Sequence, residues 1–160
     1  MEEAVKLRNA LGKFATGVAV VTTVDEHDGL VGITVNSFSS VSLDPPLVLW
    51  SLVNRSTNLE TFKSADFFAI NILASDQQAI SNQFARPVSD RFANVNFRSG
   101  HGGVPVLENT IASFECRNSH AVEGGDHTVF FGEVVDYSMA DRDPLLFFSG
   151  KYGTASHAAS

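Results

Sequence analysis

The sequence predicts a mainly β domain with flanking helices, its antiparallel strands forming a closed or nearly closed barrel. Three observations carry this. Short apolar runs rich in β-branched and aromatic residues recur along the chain (GVAVVTT, LVGITV, LVLWSLV, FFAINIL, HTVFFGEVV), which is the pattern of buried strands. The regular βαβ alternation that a parallel sheet requires is missing. A length of 160 residues with 44% hydrophobic content suits one sizeable core, so residues 1–160 read as a single domain.

Taken in order, the chain opens on a stretch where Ala4, Leu7, Leu11 and Phe14 share one helical face. Residues 2–14 are therefore expected to form a helix docked on the core through that face. Gly17 changes the register. GVAVVTTVDE, the turn His27-Asp28-Gly29 and LVGITVN read as a hairpin, β-branched on both faces and mostly buried. An irregular, Ser-rich segment follows, and Asp44-Pro45-Pro46 separates it from a buried strand, Leu47 to Val53, whose one polar interruption is Ser51. Thr57 with Glu60 fits a capping box and predicts a helix from Thr57 to about Ala65. FFAINIL is a further buried strand, and Ser75 with Gln78 caps a second helix leading to Phe84. Asp90, Arg91 and Phe92 lie on a short helical or turn segment. Residues 94–105 carry Gly100, Gly102 and Gly103 and read as an exposed loop that could fold over a ligand. Two long strands, IASFECRNSHAVEG and HTVFFGEVVDYSM, flank a turn at Gly124-Gly125-Asp126, and LLFFSGKYG ends the pattern.

Composition narrows the function. Eleven Lys and Arg against 18 Asp and Glu leave a formal charge of −7, which disfavours nucleic acid and anionic membranes as general partners. The single cysteine, Cys116, cannot close an internal disulfide and fits a reducing cytoplasm. The start, MEEAVKLRNALGKF, is acidic and amphipathic rather than basic then apolar. No run approaches the roughly 20 apolar residues of a membrane span, so secretion is not expected, and the Asn54-Arg55-Ser56 sequon reads as accidental. GHGGVP lacks the G-x-G-x-x-G spacing, Walker A and HExxH are absent, and the five histidines lack metal-ligand spacing. No metal site is expected.

Chemistry is expected between Thr34 and Thr57. Thr34, Asn36, Ser37, Ser39, Ser40 and Ser42 crowd hydroxyl and amide groups between two apolar runs. Buried polar groups without partners are costly, so this density points to a bound ligand. Arg55 and the N–H groups of a helix starting at Thr57 could hold a phosphate. A hairpin followed by an ordinary capped helix accounts for the local sequence equally well.

GVAVVTT, TVNSFSSVSLDPPLVLWSL, the Asn-Arg-Ser-Thr helix start, FFAINIL, Gly125-Asp126-His127, FFGEV and PLLFFSGKYG, in this order and over nearly the whole chain, resemble the short-chain flavin reductase family. The resemblance implies the FMN-binding type of split β-barrel, antiparallel and Greek-key-like, usually a homodimer. Such proteins use NADH or NADPH to reduce FMN or FAD, and many supply reduced flavin to a separate monooxygenase. Carried over by position, Thr34, Asn36, Ser37 and Phe38 would lie along the isoalloxazine. Ser51, Leu52 and Val53 would lie beside the ring and ribityl chain, and Arg55, Ser56 and Thr57 at the phosphate. Phe84 and Arg86, with Asn82 and Gln83, end the second helix near a segment that can approach the flavin. Tyr152 matches a C-terminal segment near the site. For Phe84 and Tyr152, simple packing is an equal reading.

The resemblance also implies that His127 contacts the nicotinamide and helps place its hydride donor over the flavin, a positioning role that needs no nucleophile or strong base. Without the family, a solvent-satisfied histidine at a strand edge would be the simpler reading. Two other classes stay open. One is a split-barrel oxidase that uses bound FMN on a small amine, disfavoured by the lack of a basic cluster for a second phosphorylated ligand. The other is a non-catalytic module that holds flavin, haem or another planar ligand. FMN against FAD, NADH against NADPH, bound cofactor against diffusing substrate, and the monooxygenase partner are not readable from these residues.

Overall fold

A computed structural model describes residues 2–155. In chain order these form α1 (Glu2–Leu11), β1 (Thr16–Gly17), β2 (Ala19–Val24), β3 (Leu30–Val35), β4 (Ser39–Leu43), β5 (Pro46–Val53), α2 (Leu59–Ser64), β6 (Phe67–Ile72), α3 (Gln78–Ala85), β7 (Phe97–Ser99), β8 (Pro105–Leu107), β9 (Ala112–Gly124), β10 (His127–Met139), β11 (Leu145–Phe148) and β12 (Lys151–Thr154). Seven strands pair in the order β3-β2-β6-β9-β10-β5-β4, every pair antiparallel. A three-stranded sheet, β1-β11-β12, and the β7–β8 hairpin complete the split barrel.

The seven-stranded sheet curls around an aromatic core. Alternate β5 residues Val48, Trp50 and Leu52 point inward and are buried, while Leu49, Ser51 and Val53 between them are half-buried. Trp50 stacks on Phe130 with ring centres 4.8 Å apart and meets the edges of Phe62 and Phe68. Each such aromatic pair adds about 0.5–1.5 kcal/mol to the burial of apolar area. Gly132 on β10 lies against this core. A Cβ there would sit 2.6 Å from Phe68 and 2.8 Å from Cys116, so only glycine lets β10 pass that close. β2 is buried on both faces, as its β-branched sequence predicts. Ala19 and Val21 face the barrel, while Val18 and Val20 bracket the strand's outer side and pack with Leu73, Phe84, Leu107 and Leu145.

The backbone ladder leaves the barrel open between β3 and β5, and a side chain bridges the gap. Ser37, just beyond β3, donates its hydroxyl to the Ser51 carbonyl at 3.0 Å and accepts the Ser51 N–H at 2.9 Å. Among the described residues no helix is long and apolar enough to cross a membrane.

Several local expectations are corrected. α1 stops at Leu11 and buries none of its residues, and Leu7, Leu11 and Phe14 are 61%, 67% and 80% exposed. Among the described residues, its apolar face is not docked on the core. The Ser-rich segment is partly a strand, β4, paired to β5 through a bulge between Ser40 and Ser42. Neither capping box forms. Ser56 rather than Thr57 accepts the Asn58 N–H, and α2 starts only at Leu59. At α3 the cap position is Gln77, whose side chain accepts the Ala74 N–H and donates to the Glu108 carbonyl. A longer amide that reaches two backbone groups displaces the local Ser–Gln exchange. Residues 94–105 are not a free loop. They contribute β7 and the start of β8, and Val104, Val106 and Leu107 are buried. Buried polar groups seat this hairpin, since Thr22 donates to the Pro105 carbonyl and Asn71 accepts the Leu107 N–H.

Candidate flavin and nucleotide site

The end of β5 and the tip of the β9–β10 hairpin form one rim. Pairing places His127 opposite Val53, Thr128 opposite Leu52 and Val129 opposite Ser51. The hairpin turn is the two residues Gly125 and Asp126, with Gly125 at φ +67°. Positive φ at the first turn position suits the right-handed twist of a two-residue hairpin and favours glycine. Asn54 ties this tip to the loop after β5, its N–H donating to the Asp126 carbonyl at 2.8 Å and its amide to the Gly125 carbonyl at 3.3 Å. The Asn54 side-chain oxygen accepts the Thr128 hydroxyl at 2.7 Å.

His127 Nδ1 lies 2.7 Å from an Asp126 carboxylate oxygen. That hydrogen bond, and then the charge of His127, hold the Asp126 carboxyl below its ordinary range, with a smaller pull from nearby Arg55. Arg55, Asp126 and His127 therefore share the rim, all of them exposed to solvent.

The other predicted site residues separate into three groups. Asn36, Ser51, Val53, Arg55 and Thr57 keep accessible surface. Phe38 stacks on Phe114 at 5.7 Å and walls an apolar cleft of about 300 Å³ that Asn36, Thr16 and Ile72 also line. In the second group, polar atoms already have partners within the chain. Ser37 is engaged with Ser51, Ser56 with Asn58, and Thr34 donates to the Ser81 carbonyl at 2.6 Å. The Tyr152 hydroxyl lies 2.7 Å from the Ser81 hydroxyl, donates to the Asn82 side chain at 3.2 Å, and its ring meets the edge of Phe147. The hydroxyl density of Thr34 to Ser42 is thus partly structural, which corrects the reading that a ligand must satisfy it.

The third group is buried. Phe84 is 0% exposed, meets Phe92 edge to face at 4.9 Å, and presses so closely on Gly32 that a Cβ there would clash. It is a core residue and not a ring contact, because α3 turns that face onto β2 and β3. Leu52 is 2% exposed and points into the barrel, so only its backbone lies beside the rim. Arg86 belongs instead with the first group, exposed just past α3, its carbonyl accepting from Arg91.

Sequence reasoning missed Asn54, Thr128 and Ser81. The signal for Asn54 was weak. An Asn after a strand suits a turn, but nothing local pairs it with a hairpin tip more than 70 residues away.

A separate polar cluster sits under the β7–β8 hairpin. Glu115 is 2% exposed and accepts the His101 N–H at 2.8 Å, His101 Nδ1 at 2.9 Å and Arg98 at 3.0 Å. Asp136 also comes within ligand range of Glu115 and His101. The Arg98 guanidinium already supplies the positive charge this carboxylate needs, so the cluster is an ion-paired anchor.

The family model described as "Flavin reductase like domain" matches residues 11–156. The chain belongs to that family. It is 46% identical over 155 residues to "FMN reductase (NADH) SmoA" of Agrobacterium fabrum, covering 97% of this chain and 88% of that protein. Against a protein of Rhizobium meliloti named "Probable flavin reductase" it is 47% identical over 148 residues, 92% of this chain. It spans only 48% of that relative's length. The fold superposes on the Streptomyces globisporus NADH:FAD oxidoreductase SgcE6, solved in complex with NAD and FAD fragments. There the TM-score is 0.93 at 34% identity, covering 99% of this chain and 96% of that one. Membership in the flavin reductase like family accounts for the antiparallel split barrel.

Proposed function

We propose that this protein is an NAD(P)H:flavin oxidoreductase, in which NADH or NADPH reduces FMN or FAD and the reduced flavin passes to a separate flavin-dependent monooxygenase. The observation that carries the reading is the meeting of Val53 to Arg55 with Asp126 and His127 at one rim. An exposed cation and an exposed imidazole at that rim support this reading. The names of the Agrobacterium and Streptomyces relatives, which specify NADH with FMN and with FAD, support the same chemistry.

The residues fit such ligands. Arg55 is a forked donor suited to a phosphate. The anion site rests on this guanidinium more than on a helix terminus, because α2 begins four residues later. Asn36, Ser51, Val53 and the Phe38 wall would border the flavin ring, and Ser56 and Thr57 the phosphate side. When bound, the flavin supplies the hydride-accepting ring, and hydride transfer from a dihydronicotinamide is chemistry that the two ligands carry. The chain's part is to hold both and exclude misaligned encounters. His127 would contact the nicotinamide and help orient its donor carbon toward the flavin.

The working unit is a homodimer. Leu7, Leu11 and Phe14 lie exposed at and just beyond α1, with Phe148 48% exposed in the C-terminal hairpin. A second copy that covers this surface would remove the apolar area from water. A cytoplasmic location, with its pool of reduced nicotinamide nucleotides, completes the reading.

The test is aerobic oxidation of NADH and NADPH by the purified protein, without flavin and then with FMN, FAD or riboflavin. Flavin-dependent turnover is expected, and the preferred pair names the substrates. Flavin binding without consumption of either nucleotide would overturn the reductase in favour of a binding module or an oxidase.

A further inference from the structure

Asn54 is the most heavily engaged polar side chain at the rim. Through its backbone it holds the carbonyl of Asp126, and through its side chain the carbonyl of Gly125 and the hydroxyl of Thr128. The residues on both sides of His127 are thereby pinned, and Thr128 is 3% exposed, so its anchor is buried. From the pinned turn, the Asp126 carboxylate reaches His127 Nδ1 at 2.7 Å. An ionised carboxylate only accepts hydrogen bonds, so Nδ1 carries the proton and the neutral ring keeps its lone pair on Nε2. The His127 side chain is 46% exposed, which leaves the ring reachable by a ligand.

A histidine that merely faces solvent needs neither restraint. Here the backbone is held and the adjacent carboxylate favours one tautomer before any ligand arrives, which reduces the ordering cost of a later contact. The group that complements a neutral Nε2 is an N–H donor. On a nicotinamide, that donor is the carboxamide.

We propose that Asn54 and Asp126 are positioning residues that hold His127 in its Nδ1-protonated form, so that Nε2 accepts a hydrogen bond from the carboxamide N–H of the incoming dihydronicotinamide. This rests on the assignment of His127 to the nicotinamide, and it adds the atom recognised and the residues that aim it.

The test compares NADH with reduced 3-acetylpyridine adenine dinucleotide, which keeps the ring carbonyl but has no amide N–H. Ratios of kcat/KM for the two donors are measured in the parent protein and in the His127→Ala, Asp126→Ala, Asp126→Asn and Asn54→Ala variants, with flavin affinity measured alongside. The preference for NADH should fall about fivefold to tenfold in His127→Ala and Asp126→Ala, the loss of one good hydrogen bond. The change should lie mainly in KM for the nucleotide, with flavin affinity preserved. Asn54→Ala should show a partial loss. Asp126→Asn, whose amide oxygen can still accept from Nδ1, should keep most of the preference.

A preference that falls in His127→Ala but stays intact in Asp126→Ala would overturn the positioning roles and leave the His127 assignment standing. An unchanged preference and an unchanged KM for NADH in His127→Ala would overturn the assignment itself. Because Asp126 is exposed, its two variants decide the matter even if Asn54→Ala does not fold.

Discussion

Ser37 bridges the barrel gap by exchanging two hydrogen bonds with the backbone of Ser51, so that a hydroxyl stands where the strand ladder does not continue. Ser37→Ala removes the donor and leaves the Ser51 N–H and carbonyl without that partner. A loss of about 1–3 kcal/mol is expected in urea unfolding. Ser51→Ala should leave stability nearly unchanged, because the Ser51 hydroxyl takes no part in the exchange.

Arg55→Ala should weaken flavin binding about tenfold with little change in unfolding midpoint, since it deletes a charge-assisted contact from an exposed side chain. Fluorescence titration of FMN and FAD reads the affinity. Unchanged values for both would remove Arg55 from the phosphate site.

Phe84→Ala should cost about 3–5 kcal/mol, the usual price of an emptied aromatic position in a core. Below the unfolding transition, flavin affinity should match that of the parent protein. A variant of normal stability with weakened flavin binding would restore the ring-contact role.

Glu115 gives the fold an acid limb. Its burial raises the carboxyl pKa, but the hydrogen bonds from His101 and Arg98 and the Arg98 charge outweigh that and bring it below its ordinary value. A depressed folded-state pKa means that this stabilisation is present above the unfolded pKa of about 4.3 and is lost as pH falls through the folded value beneath it. Unfolding midpoints measured from pH 6 down to pH 3 should therefore fall more steeply in the parent protein than in Glu115→Gln. At neutral pH, Glu115→Gln should be less stable by about 2 kcal/mol, having lost its charge-assisted bonds. Identical slopes in the two proteins would show that the carboxylate does not anchor the β7–β8 hairpin.

If the proposed homodimer forms through the α1 surface, Leu11→Glu with Phe14→Ser should shift it to monomer in sedimentation velocity, with the far-ultraviolet spectrum retained. Neither side chain is buried in the chain's own core, so folding does not depend on them. A dimer that persists would place the subunit interface elsewhere.

The strand pattern was legible because it is local. β-branched and aromatic runs such as GVAVVTT and FFAINIL carry their period and their breakers within a few residues, and β2, β5, β6, β9 and β10 lie where those runs lie. Family membership was legible for a related reason, since the order and spacing of several short motifs survive in one dimension. Tertiary structure decided which polar groups remain available. Thr34, Ser37 and Tyr152 offer the same hydroxyls in the sequence as Ser51 or Thr57, but partners 14 to 71 residues away engage them. It also decided that Asn54 grips the turn before His127 and that the apolar face of α1 finds no cover among the described residues. A local pattern records what a residue can do, whereas long-range hydrogen bonding and burial determine which of those capacities is left for a ligand or a second subunit.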